Sequence, residues 1–174
     1  MKYSKRKAIN DLASKLIEVL ELTVPIDIER VPVILGGKIE YVSKPLENNM
    51  EAQIVNESTT FKITIYDDKP DVRKRFSIAH ELGHLFLHMG YIINEDLWKK
   101  TLEYSDSVYY RHGYSVEELE ANEFAAAFLM PEKQFKKCAY DSLDNGYYDL
   151  EIIAEQFKVS IQAVEVRGVK LGLW

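Results

Sequence analysis

The sequence holds a single cysteine, Cys138, in 174 residues. That excludes an intramolecular disulfide and a cysteine-rich zinc site alike. No apolar run approaches the roughly 18 residues a membrane span needs. Positive charge is in deficit: 22 Lys and Arg stand against 28 Asp and Glu, for a net charge of -6. This argues against a general affinity for nucleic acid or anionic membranes, since both want a basic surface. Repeats, low-complexity stretches and an obvious interdomain linker are also missing. The start, Met-Lys-Tyr-Ser-Lys-Arg-Lys, is basic, but it passes into an amphipathic pattern with acidic residues rather than the unbroken apolar run of a secretion signal. The expectation is a cytoplasmic protein.

What is present reads as an ordinary soluble globular chain, 47% hydrophobic and 29% charged. Its length suits one domain over 1–174: an N-terminal helix in 1–24, a core in 25–140 and a C-terminal unit in 141–174. Ile9, Leu12, Ala13, Leu16, Ile17 and Leu20 recur at helical spacing. Asp27 is placed to cap a second, short helix, in which Pro32 would sit uncomfortably deep, and Gly36-Gly37 ends that segment. Strand-like runs follow at 38–42, 52–56 and 60–66; in the last, Phe61, Ile63 and Ile65 alternate with Lys62, Thr64 and Tyr66. Strands and helices are segregated along the chain, which predicts an α+β fold with a small, mainly antiparallel sheet.

The next segment carries the chemistry. Phe76, Ile78, Ala79, Leu82, Leu85, Phe86 and Met89 have helical spacing, and within them stands His80-Glu81-Leu82-Gly83-His84. Residues four apart share a helix face, so both imidazoles can reach one metal ion. Glu81 is then placed to face a water at that metal as general base, and Gly83 lets another helix come close. Two histidines and a glutamate on so apolar a helix are costly without such a purpose. His88 lies a full turn beyond His84, where a role in packing or behind the ligands suits it better than ligation.

A third ligand is expected from 117–131, an apolar stretch ended by Pro131. Glu118 and Asn122 share a face there, so one can bind metal while the other hydrogen-bonds a ligand imidazole; Glu120 is the rival ligand. Leu119, Ala121, Ala125 and Phe128 are expected to form the neighbouring apolar stripe. Between the two blocks, Tyr91, Trp98, Tyr104, Tyr109, Tyr110, His112 and Tyr114 form either a lid over the substrate or packing for a long loop. Arg73, Lys74 and Arg75 read as a solvated helix start with one residue paired to a carboxylate.

Two blocks together, Arg75-Phe76-Ser77-Ile78-Ala79-His80-Glu81-Leu82-Gly83-His84-Leu85-Phe86-Leu87-His88 and Glu118-Leu119-Glu120-Ala121-Asn122-Glu123-Phe124-Ala125 through Leu129-Met130-Pro131, resemble the ImmA/IrrE family of metallo-endopeptidases. The resemblance covers about residues 25–171. It implies a minimal gluzincin-like core and one zinc ion, with manganese or cobalt acceptable to such ligands. It also implies Glu118, three residues before the Ala-Asn pair, as third ligand beside His80 and His84. The partner it implies is a protein substrate, a helix-turn-helix repressor of a mobile element or a stress response. This chain departs from the family in Pro32 and in the long aromatic segment 89–116.

The C-terminal unit supports a competing function. Leu150, Ile153, Ala154, Phe157, Val159, Ser160, Ala163 and Val164 follow helix-turn-helix spacing, and such units read DNA when the second helix is basic. Here that helix offers only Arg167 and Lys170, which makes direct DNA binding the weaker expectation. A third class, an inactive peptidase fold used as a binding module, sits badly with an intact Glu81.

Overall fold

The computed structural model describes residues 1–44, 46, 50–101 and 115–174. Helix α1 spans Tyr3–Val19 and buries Ile9, Ala13 and Ile17 along the face that packs on a later helix, α5 (Val116–Leu129). Helix α2, Arg30–Ile34, starts beyond Asp27, whose backbone carbonyl accepts from Arg30 N at 3.2 Å; Glu29 holds the cap position, and no side chain caps it. Pro32 is therefore only the third helical residue, in the first turn, where the helix offers no acceptor for an N–H. The proline that looked misplaced breaks no hydrogen bond within the helix there. Gly36, at φ +80°, ends the segment.

Strands β1 (Lys38–Val42), β2 (Ala52–Asn56) and β3 (Phe61–Tyr66) form one sheet in the order β1-β3-β2. Antiparallel pairs make up two of the three strand pairings among the described residues, counting the short hairpin β4–β5 at Leu143–Asp144 and Tyr147–Tyr148. The main sheet is nevertheless mixed: β1 runs parallel to β3, with Ile39 beside Ile63. Ile39 and Ile54 thus flank Ile63 from opposite strand senses. The expected alternation in β3 is only partial, because Thr64 is buried as well as Phe61, Ile63 and Ile65.

Helix α3, Asp71–Leu87, lies across β2 and β3 and is covered on its other side by α5. The small α4 (Glu95–Lys100) follows. Helices α6 (Glu132–Asp141), α7 (Leu150–Phe157) and α8 (Ile161–Leu171) complete the chain. One buried cluster joins Ile9 of α1, Ile63 of β3, Leu82 of α3, Phe128 of α5, Phe135 of α6, Phe157 of α7 and Val164 of α8. Helix α5 is buried nearly all round, so it carries no single apolar stripe. Leu119, expected on such a stripe, is 39% exposed. Among the described residues no helix is long and apolar enough to cross a membrane.

Candidate metal centre and cleft

The α3–α5 contact positions the site. A Cβ on Gly83 would lie 3.0 Å from the Cα of Ala121 and 3.1 Å from its carbonyl oxygen, so the missing side chain sets how closely the helices approach. At that spacing Glu118, one turn before Asn122 on α5, reaches both histidines of α3. Its Oε2 is 3.3 Å from His80 Nε2 and its Oε1 is 3.2 Å from His84 Nε2. The two Nε2 atoms are 3.0 Å apart. Donor atoms of His80, His84 and Glu118 all fall within 4.8 Å of one another, in largely buried surroundings.

Hydrogen bonds behind the imidazoles suit this convergence. His80 Nδ1 lies 3.1 Å from Asn122 Oδ1, a carbonyl-type acceptor, which makes Nδ1 the protonated nitrogen and leaves the Nε2 lone pair facing inward. His84 Nδ1 lies 2.9 Å from His88 Nδ1, and His88 Nε2 lies 3.4 Å from Glu120 Oε2. Burial and the neighbouring His84 push His88 down to about 4, so it is neutral near pH 7. A neutral His88 that donates through Nε2 to Glu120 accepts at Nδ1 from His84, and that again turns the Nε2 lone pair of His84 inward. Two imidazole lone pairs and a carboxylate in one buried place are a donor set for a divalent cation. Burial alone would raise the Glu118 carboxyl, but the two facing imidazoles, when they carry Nε2 protons in place of a cation, outweigh it and hold it well below the usual carboxylate range.

Glu120, the rival, is turned away from this cluster. Its carboxylate meets His88 and the ammonium of Lys5, which is 3.1 Å away. Glu81 is 1% exposed and lines a cleft of about 300 Å³ together with His80, Glu118 and Asn122. Met50, Glu51 and Ala52, at the start of the edge strand β2, form the opposite rim, and Arg73 of α3 ion-pairs with Glu51 across it.

A family model described as the IrrE N-terminal-like domain (Peptidase_M78) matches residues 38–168. The chain belongs to this family. No curated protein sequence matches it significantly. Among solved structures, a Mycobacterium tuberculosis transcriptional regulator superposes with a TM-score of 0.64 at 17% identity, over 95% of this chain and 57% of that one. At that identity the likeness shows the fold alone. This chain spans little more than half the length of that regulator.

Membership makes this a metallopeptidase-type domain, and in this M78 chain other expected features fall differently. The basic cluster before the motif is fully engaged: besides the Arg73 pair, Lys74 contacts Asp67 and Asp71, and Arg75 donates to the carbonyls of Ile26 (2.9 Å) and Lys158 (3.1 Å). Tyr91 and Trp98 belong to the core side of their segment. Tyr91 donates to Leu35 O at 2.7 Å and packs edge-on against Phe61, while Trp98 donates to Ser58 O. Tyr104, Tyr109, Tyr110, His112 and Tyr114 lie outside the described residues.

The C-terminal pair has helix-turn-helix form, with Lys158 in the left-handed region and Ser160 capping α8 through Ala163 N. Arg167, however, is 1% exposed. It donates to Met130 O and Asn10 Oδ1 and faces Glu123 at 3.4 Å, and Lys170 reaches the same carboxylate at 2.8 Å. The composition of α8 gave no sign of this, since a buried arginine is recognised only by what surrounds it. Burial raises the Glu123 carboxyl, but Lys170, Asn10 and Arg167 together bring it below its ordinary value.

Proposed function

We propose that this chain is a zinc-dependent endopeptidase that cuts a protein substrate, a helix-turn-helix repressor of a mobile element or a stress response. The observation that carries the reading is the placement of one Glu118 carboxylate against the inward nitrogens of both His80 and His84. In this reading residues 1–174 work as one peptidase unit, with α1 and the C-terminal pair braced on the core.

A divalent cation held by His80, His84 and Glu118, zinc first and manganese by the same donors, would supply a Lewis acid that acidifies water and polarises a carbonyl. The protein's own contribution starts with Glu81. Beside that donor set and nearly sealed from solvent, its carboxylate takes the proton of the attacking water and returns it to the leaving amine. Asn122 and His88 fix the rotation of the two imidazoles. The edge strand β2 gives an extended peptide a backbone to pair with, next to Glu81.

The test is incubation of the zinc-loaded chain with the repressor encoded nearest its gene, read by mass spectrometry. One defined cut, lost on chelation and in Glu81→Gln, supports the proposal; an intact repressor together with tight, sequence-dependent DNA binding by the chain overturns it. That second reading, a DNA-binding regulator, draws on the form of α7 and α8. The burial of Arg167 and the pairing of Lys170 work against it, because the basic residues of α8 are already engaged by Glu123.

A further inference from the structure

A second concavity opens beside the metal cleft. It is a groove of about 430 Å³ between α3, α5 and α8. The groove and the cleft share Arg73, Phe76 and Asn122, so they adjoin one another. Asn122 stands at the junction, holding His80 on one side and lining the groove on the other. Phe76 is the divider, its ring centroid 6.4 Å from that of His80.

Beyond Phe76 the character of the wall changes. Ala126 of α5, Met130 just after it, Val159 of the turn, and Ala163 and Val166 of α8 supply its apolar part, with Ser160, Gln162 and Lys170 beside them. Val166 is 49% exposed and Val72, at the rim, 37%. Among the described residues that line the groove, none is acidic. Val72 and Val166 are thus left open to water beside a polar, donor-rich cleft, while Ala126, Met130 and Val159 form the buried floor.

We infer that this groove seats an apolar side chain of the peptide substrate, of leucine or phenylalanine size, close to the scissile bond. The inference rests on the peptidase reading and adds a substrate class to it. Three features of the groove support this occupant. It adjoins the place where the bond would be cut, and side chains of an extended peptide alternate at about 3.3 Å per residue, so a chain passing over Phe76 delivers one into it. The volume falls within the usual range for a site that encloses a small organic group. Lastly, no carboxylate lines the groove, and its two basic residues, Arg73 and Lys170, are already paired with Glu51 and Glu123. The C-terminal pair then serves the site as well as the fold, because α8 closes one side of the substrate groove.

The test uses the full zinc-loaded chain carrying Glu81→Gln, so that binding is measured without turnover. Probes are fluorescent dodecapeptides of Ala, Gly and Ser with one central Leu, Phe, Ser or Asp, read by anisotropy. The Leu and Phe peptides are expected to bind at least about tenfold tighter than the Ser and Asp peptides, as burial of such a side chain implies. Ala163→Phe, which fills the groove, and Val166→Asp, which charges its exposed wall, should each erase that margin and leave the Ser peptide unaffected. Val166→Asp alters a half-exposed position, so it serves if Ala163→Phe melts early. No apolar margin, or a margin that survives both substitutions, overturns the inference. A dimer in sedimentation that Val166→Asp dissociates also overturns it, by marking the groove as a self-association face. Because cleavage is not the readout, a failed margin beside intact proteolysis is distinguishable from a failed peptidase reading.

Discussion

Gly83 of α3 and Ala121 of α5 meet so closely that a single added methyl would press on backbone atoms at 3.0 and 3.1 Å. Helix α5 would have to shift as a body to admit it, and Glu118 rides on that helix three residues earlier. Gly83→Ala gains about 1 kcal/mol of helix propensity but overpacks at a cost of about 1–3 kcal/mol. The expected result is a lowered melting temperature together with weaker metal binding, measured by competition with a chromophoric chelator. An unchanged affinity would separate helix spacing from the metal site.

Glu81→Gln preserves volume and removes only the basicity of a side chain placed beside the donors. Metal content and melting temperature should stay close to wild type, while cleavage falls by about 10²–10⁴-fold, the usual worth of a general base. Equal zinc content with undiminished proteolysis would take Glu81 out of the mechanism.

The two neighbouring glutamates should behave differently. Glu118 faces the Nε2 atoms of both His80 and His84, whereas Glu120 faces His88 behind them. Glu118→Ala is expected to abolish stable metal retention during gel filtration. Glu120→Ala and His88→Ala disturb only the hydrogen bonds behind His84 and should weaken affinity by about 10–100-fold. Elemental analysis of the three purified variants checks the order, and a reversal between Glu118 and Glu120 would move the ligand role.

Much of this site is legible in the sequence because its parts are local. His80 and His84 are one turn apart, as are Glu118 and Asn122, and helical period alone places each pair on a face. The choice between Glu118 and Glu120 is not local, since it depends on how α5 is rotated against α3. Strand limits at 38–42 and 52–56 follow from local pattern, but the parallel pairing of β1 with β3 does not, because β2 intervenes between them in the chain. Leu119 misleads for a related reason: a helix buried on nearly every side has no apolar stripe from which to read its orientation.

The network around Glu123 is the least local feature, joining Asn10 and Arg6 of α1 to Arg167 and Lys170 of α8. Glu123 is wholly buried and Arg167 nearly so. Glu123→Gln therefore strands a buried guanidinium and should cost about 3–5 kcal/mol at pH 7. The folded state holds this carboxyl below its ordinary value of 4.5. The stabilisation is therefore complete above that pH and is lost as pH falls through the lower, folded value. The melting-temperature gap between wild type and Glu123→Gln should be wide at pH 7 and narrow progressively below about pH 4.5. Replacing both partners, in Glu123→Leu with Arg167→Met, removes the stranded charge and should recover much of the loss. A gap that does not depend on pH would mean the pair contributes packing rather than charge. Recovery in the double variant with cleavage intact would further show that Arg167 serves the fold, as its burial implies, and not a DNA backbone.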